Sequence, residues 1–200
     1  MARRAAPPSG TVVLSDASAV RALAHPARLV VIDALYAGQV LTATECAALA
    51  GITPSAMSYH LRALEKYGLV VRAEARGDGR ERPWARAGES LSIDLHGSAG
   101  EGSTLAAAGV LIENSLRVDQ QRLLATMRAE AEEGADSPWT GTTTYARDQL
   151  LLTPDEARAL REQVEKLVAR YTWEKRQGRV PKGATTFGFA VVLARDVDHA

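Results

Sequence analysis

Cysteine is almost missing from this chain: Cys46 is the only one among 200 residues. No disulfide can close within the chain, and no cluster of thiolates can hold zinc. A reducing, cytoplasmic setting is the expectation. Long apolar runs are also missing, and nothing approaches the roughly 18 uninterrupted apolar residues of a membrane span. A membrane is therefore not an expected partner. The opening "MARRAAPPSG" carries Arg3 and Arg4 but no apolar run behind them. It reads as the start of a disordered tail over residues 1–14, not as a signal peptide. Net charge is zero, which excludes a globally basic protein but leaves room for a locally basic surface. The four histidines, His25, His60, His96 and His199, gather with no cysteine or carboxylate into a recognisable catalytic set. An enzyme is not expected, and neither a metal nor a cofactor is called for.

A hydrophobic fraction of 46% is enough to build a core. The helix signals are dense in the first half. Ser15 can cap a first helix carrying Val20, Leu23 and Ala24 inward. Pro26 suits the first position of a second, "PARLVVIDALYAG". That segment is apolar almost all round, the mark of a central core helix, and Gly38 ends it. Thr42 and Glu45 then form a capping box, in which hydroxyl and carboxylate each satisfy a free backbone N–H. Gly51 and Ile52 make a tight turn. Thr53 caps the next helix, Pro54 starts it, and Gly68 closes it.

That helix, "TPSAMSYHLRALEKYGLV", has two faces. Met57, Leu61 and Leu64 form a buried stripe. Ser55, Ser58, Tyr59 and Arg62 point elsewhere, near the end that would enter a major groove. Short polar side chains and arginine are what read base edges there. Two stretches of strand propensity follow, Leu69 to Ala75 and Pro83 to Ala87. The glycine-bearing turn "RGDGRER" between them suits a β-hairpin tip. Leu91, Ile93 and Leu95 alternate, which allows a short strand or an extended connector.

Charge concentrates on the same region. Between Thr53 and Ala87, the seven bases Arg62, Lys66, Arg72, Arg76, Arg80, Arg82 and Arg86 stand against Glu65, Glu74, Asp78 and Glu81. Counterion release at such a surface would supply affinity for a polyanion. Arg76, Arg80 and Arg82 at the hairpin tip suit phosphate or minor-groove contact. The expected DNA-binding set is therefore Ser55, Ser58, Tyr59, Arg62, Lys66, Arg76, Arg80 and Arg82, and the expected partner is double-stranded DNA. The competing reading is a protein-interaction or dimerisation module that keeps a winged helix without specific readout. A protein surface would replace the small polar residues by larger apolar anchors.

The second half is of α+β type. Gly97 to Gly102 reads as a hinge, and Ser103 caps a long helix to about Glu133. Leu105, Gly109, Ile112, Leu116, Leu123 and Met127 recur on one side of it. Such a helix can pair with its copy in a homodimer; packing wholly within the chain is the alternative. "TTTYARDQLLL" and "TTFGFAVVLARD" read as strands. Between them Thr153 and Glu156 form a second capping box, with Pro154 in first position, for a helix to about Gln177. The expected organisation is a tail over 1–14, a winged helix-turn-helix over 15–97, a dimerisation helix over 98–134 and a strand-helix-strand module over 135–200. Trp139, Tyr145, Trp173, Phe187 and Phe189 could cradle a small-molecule effector. They serve equally well as the core of a dimer-reinforcing module.

"LAHPARLVVIDAL", "TATECAALAGITPSAMSYHLRALEKYGLV" and "RGDGRERPW" resemble the ArsR-type winged-helix repressors. The pattern S-x-x-S-x-H-L-x-x-L-x-x-x-G-L-V is met by Ser55, Ser58, His60, Leu61, Leu64, Gly68, Leu69 and Val70. The resemblance covers roughly residues 15 to 95. It implies a homodimer on a palindromic operator that represses transcription. Metal-sensing members carry a Cys-x-Cys pair before the turn, or Asp and His ligands on the long helix. This chain has only Cys46, and no His between Ser103 and Glu133, so a thiolate metal sensor is not expected. Cys46 reads as a small packing residue. His25 reads as a residue that caps or packs at a helix junction. His60 sits beside the core stripe and reads as structural before base-reading, while His96 and His199 look like loop and tail residues.

Overall fold

The helix caps written into the sequence at Thr42, Thr53 and Thr153 close as expected. The computed structural model describes residues 10–74, 82–93, 102–176 and 179–197. Its elements run β1 (Thr11–Leu14), α1 (Ala17–Leu23), α2 (Pro26–Tyr36), α3 (Ala43–Ala50), α4 (Pro54–Lys66), β2 (Val70–Arg72), β3 (Trp84–Arg86), β4 (Ser90–Ile93), α5 (Gly102–Glu133), α6 (Pro154–Ala169) and α7 (Trp173–Arg176). This is a mainly helical α+β chain with a winged helix-turn-helix at its N-terminal side. Two units divide it, Met1–Val118 and Asp119–Ala200.

In the first unit both halves of the α3 capping box form. The Glu45 carboxylate accepts from the Thr42 amide at 2.6 Å, and the Glu45 amide donates to the Thr42 hydroxyl at 3.2 Å. Two caps differ from expectation: α5 already includes Gly102, so Ser103 lies inside that helix and does not cap it. Asp16, not Ser15, starts α1, because its carboxylate accepts from both the Ser18 and Ala19 amides at 3.1 and 3.0 Å. Two orphan N–H groups are satisfied by one anionic acceptor at the positive end of the helix.

Burial follows the apolar periodicity. α2 contributes Ala27, Leu29, Val31, Ile32 and Leu35, α3 Cys46 and Ala47, and α4 Met57, Leu61 and Leu64. Leu69, Val70 and Trp84 close the core beneath the hairpin, and Ala107, Ala108 and Leu111 of α5 join it. β2 and β3 pair antiparallel, Val70 with Arg86 and Arg72 with Trp84. Leu41, just before α3, bridges to Trp84 and ties this hairpin to the helices. The strands are shorter than the stretches 69–75 and 83–87 suggest, and the turn over 75–81 lies outside the described residues.

Residues 11–14 are a correction to the expected tail. They form β1, which pairs in parallel with β4 from Thr11–Ser90 to Leu14–Ile93. The Leu91 segment is thus a strand and not a connector. Local sequence could not show the pairing, because its partners lie 79 residues apart. Gly88 makes it possible: a side chain there would meet the Gly10 carbonyl oxygen at 2.7 Å. Of the supposed hinge, residues 97–101 lie outside the described residues, and Gly102 already belongs to α5.

The second unit departs further. α6 has both halves of its Thr153–Glu156 capping box but stops at Ala169. The Thr172 hydroxyl donates to the Ala169 carbonyl at 2.9 Å, a local bond that competes with the helical ladder. The chain then restarts as the single turn α7. The two expected strands, residues 142–152 and 185–196, do not form within the chain. Both segments carry neither helix nor strand. No described residue from 119 onward is buried, so the apolar side chains of these segments meet no core.

Candidate nucleic-acid interface

Helix α4 is set by the turn before it. Gly51 ends α3 in the left-handed region at φ 65°, where a β-carbon would be strained. The Ile52 amide donates back to the Ala47 carbonyl at 3.1 Å. Two residues later the Thr53 hydroxyl accepts from the Ala56 amide at 3.3 Å, and Pro54 takes the first helical position, where its missing N–H costs nothing. The chain therefore changes direction within three residues. Thr53, Ser55 and Ala56 are left exposed at the N-terminal end of α4.

At 3.6 residues per turn, Ser55, Tyr59, Arg62 and Lys66 fall within about 60° of one another around α4. Met57, Leu61 and Leu64 lie on the opposite side, and all three are fully buried. Ser55, Tyr59, Arg62 and Lys66 are all exposed, and Ser58 is half-buried at the flank. Tyr59 keeps 63% of its surface open although it is a large amphipathic ring. Four of the eight expected site residues thus share one open stripe. Arg76 and Arg80 lie outside the described residues. Arg82 is exposed beside β3.

The charge tally needs correction. Arg86 is 5% exposed and donates to the Glu89 carbonyl at 3.2 Å, so it braces the hairpin from inside. Arg72 lies with its guanidinium 3.7 Å over the Trp84 ring and donates to the Arg82 carbonyl at 2.9 Å. Stacking on an indole face is a favourable use of a cation. Both arginines hold the wing together; Arg86 is withdrawn from the surface, and the outward positive charge on the described residues of this stretch rests on Arg62, Lys66, Arg82 and the stacked but exposed Arg72. Counting sequence charges could not separate these roles, because burial and stacking are tertiary.

A positioning cluster also lies behind α4. His25 caps α2, its Nδ1 accepting from the Ala27 amide at 3.2 Å. His60 of α4 accepts from Arg28 Nε at 3.1 Å, and its ring lies 4.4 Å from that of His25. Arg28 donates onward to the Ala22 carbonyl at the end of α1. Burial holds both imidazoles below their ordinary range. Arg28 adds to the effect at each, and His25 adds to it at His60. Neutral histidines are the state this geometry selects, since a cation stands against both rings. His60 is structural here, and Tyr59 edges onto its ring at 5.7 Å. The sequence signal for His25 was its place before Pro26. Arg28 had none, because its partner sits 32 residues away.

Cys46 is fully buried, and its thiol is pushed up to about 11, by burial first and then by the Glu45 carboxylate. Among the described residues no group of three His, Cys, Asp or Glu side chains is placed to hold a metal ion. None of the described helices is long and apolar enough to cross a membrane.

Turn, caps, buried stripe and bridged hairpin together define a winged helix-turn-helix. Residues 23–73 match the family described as a helix-turn-helix domain. No curated protein is significantly similar in sequence. Among solved structures, the apo form of a double mutant of ZitR from Lactococcus lactis is 16% identical. That match covers 74% of this chain and 82% of that one, with a TM-score of 0.29. The MarR family protein Rv2887 of Mycobacterium tuberculosis, in complex with salicylic acid, is 21% identical. It covers 75% of this chain and 84% of that one, with a TM-score of 0.28. Likeness at this level carries no argument about site or ligand.

Proposed function

We propose that the protein is a sequence-specific DNA-binding transcriptional regulator that acts as a homodimer and represses from a palindromic operator. The observation that carries this reading is the α4 stripe. Ser55, Tyr59, Arg62 and Lys66 are open along the side of the helix opposite its core contacts. A protein-docking helix would present apolar anchors there; this one presents hydroxyls and cations that suit base edges and phosphates. Ser58 and Arg82 extend the surface, and Arg76 and Arg80 of the wing complete the proposed contact set.

The dimer is supported by α5. Leu105, Gly109, Ile112 and Leu116 recur at helical spacing, and all four are exposed. The helix buries a different side, Thr104, Ala107, Ala108 and Leu111. Its other apolar stripe is left for a second copy, whose two-fold axis would set two reading helices one DNA turn, about 34 Å, apart. The C-terminal module then reinforces the dimer or takes an effector.

Genomic footprinting with purified protein tests the function. Protection of a short inverted repeat, with affinity falling steeply as salt rises, is the expected result. Failure to retain any duplex, even at low salt, would refute it.

A further inference from the structure

Unit two has the apolar residues of a core without the core. Leu150, Leu151 and Leu152 are exposed, Leu151 fully so. Phe187, Phe189, Val191, Val192 and Leu193 are exposed too, Val192 at 74%. The backbone is equally unfinished. Residues 143–152 and 185–195 enter no backbone–backbone hydrogen bond among the described residues. Both segments nevertheless have strand composition, rich in β-branched and aromatic side chains. Each is anchored near its start. The Thr143 hydroxyl donates to the Glu130 carboxylate, and Phe187 lies 5.9 Å from Trp139. Gly188 lies so close to the Arg122 guanidinium that any side chain there would collide with it. Beyond these anchors the apolar side chains of Leu150 to Leu152 and Val191 to Leu193 stay exposed.

We infer that a second copy of this chain completes the unit by strand exchange, residues 147–152 of one copy pairing antiparallel with residues 191–196 of the other. This rests on the homodimer reading above. The two segments are complementary in one register. Leu150 faces Leu193, Leu151 faces Val192, and Leu152 faces Val191. Asp148 then stands opposite Arg195. Directly opposed residues share a face of the sheet, so the apolar pairs and the charge pair each reinforce it. A shift of one residue sets Arg147 against Arg195 or Asp148 against Asp196. Pairing either segment with its own copy about a two-fold axis sets charge against apolar side chain, Arg147 opposite Leu152 and Asp148 opposite Leu151 in one case, Asp196 opposite Val191 and Arg195 opposite Val192 in the other. Opposed like charges are destabilising, and a charge opposite an apolar side chain gains no partner. Exchange between the two different segments avoids both conflicts, and the two-fold axis repeats it twice. The segments carry no net charge, which argues against an anionic membrane or nucleic acid as the occupant.

The test uses the full chain with Cys46→Ala. One copy carries Leu151→Cys and the other, differently tagged, carries Val192→Cys; the two are co-expressed and mildly oxidised. Each chain then has a single thiol, so every disulfide formed is between copies. The expected product is the mixed 151–192 link, with 151–151 and 192–192 links minor. In the parallel experiment Asp148→Arg raises the dimer dissociation constant about tenfold or more, and adding Arg195→Asp returns it to within about threefold. Dimers by sedimentation without the mixed link would overturn the strand exchange and leave the homodimer standing. Monomers at all concentrations would overturn both. A charge reversal that the second substitution fails to rescue would overturn the register.

Discussion

Replacing Arg62 by alanine is expected to weaken operator binding without weakening the fold. Arg62 is exposed in the middle of the α4 stripe, one residue beyond the fully buried Leu61. A bidentate arginine contact to guanine contributes about 1–3 kcal/mol of discrimination. At about 1.4 kcal/mol per tenfold, loss of that contact weakens binding about 5- to 150-fold per half-site. A dimer engages two half-sites, so the observed loss is at least that. The stability cost is small by contrast, within about 0.5 kcal/mol, because the side chain leaves no cavity and no buried partner behind. Lys66→Ala provides the comparison. A lysine on phosphate holds all sequences alike, and its loss reduces the slope of log affinity against log salt by about 0.9 per contact. Fluorescence anisotropy on the footprinted operator and on single-base variants, at several salt concentrations, separates the two effects. Thermal unfolding of each variant is measured alongside. Arg62→Ala binding the operator as tightly as the parent, with unchanged base preference, would refute the reasoning. Lost binding with a collapsed melting temperature would mean that Arg62 holds the helix rather than reads the groove.

Thr42→Ala removes the hydroxyl half of the α3 capping box and should cost about 1 kcal/mol in denaturant unfolding, with Glu45→Ala no worse; an unchanged midpoint would show that α3 is held by its packing alone. Cys46, fully buried and with its thiol pushed up to about 11, should react with a thiol reagent only as fast as the unit unfolds, and rapid labelling of the native protein at neutral pH would contradict this burial. Acidification should destabilise the first unit. The His25 and His60 values are lowered in the fold, so their contribution is fully present above the ordinary histidine value of 6.5 and is lost as pH falls through the folded values. The urea midpoint should therefore drop between about pH 7.5 and about pH 5.5, with a shallower drop for His60→Gln; a midpoint that rises on acidification would reverse the assignment.

Much of the first unit is legible residue by residue. Thr42 with Glu45, Thr53 with Pro54, and Gly51 at the turn are local devices, because the groups they satisfy lie within four residues. The α4 core stripe is equally plain, since Met57, Leu61 and Leu64 share a face by helical period alone. Their opposite stripe could therefore be named in advance, and Ser55, Tyr59, Arg62 and Lys66 do lie open together.

Other features depend on partners remote in the chain. β1 exists because Thr11–Leu14 meets Ser90–Ile93, and Gly88 leaves room for the approach. Arg72 and Arg86 look like Arg62 in a charge count. Only folding turns one onto the Trp84 ring and buries the other. His60 joins His25 and Arg28 through the packing of α4 on α2, which no spacing encodes. In the second unit the sequence by itself determined strand propensity at 142–152 and 185–196. Whether a strand forms is decided by a neighbouring backbone to complete its hydrogen bonds. Helices carry their hydrogen bonds within a segment, so sequence can write them locally; strands borrow theirs, and only the tertiary structure reveals that β1 and β2 find a partner in the chain while, among the described residues, 142–152 and 185–196 do not.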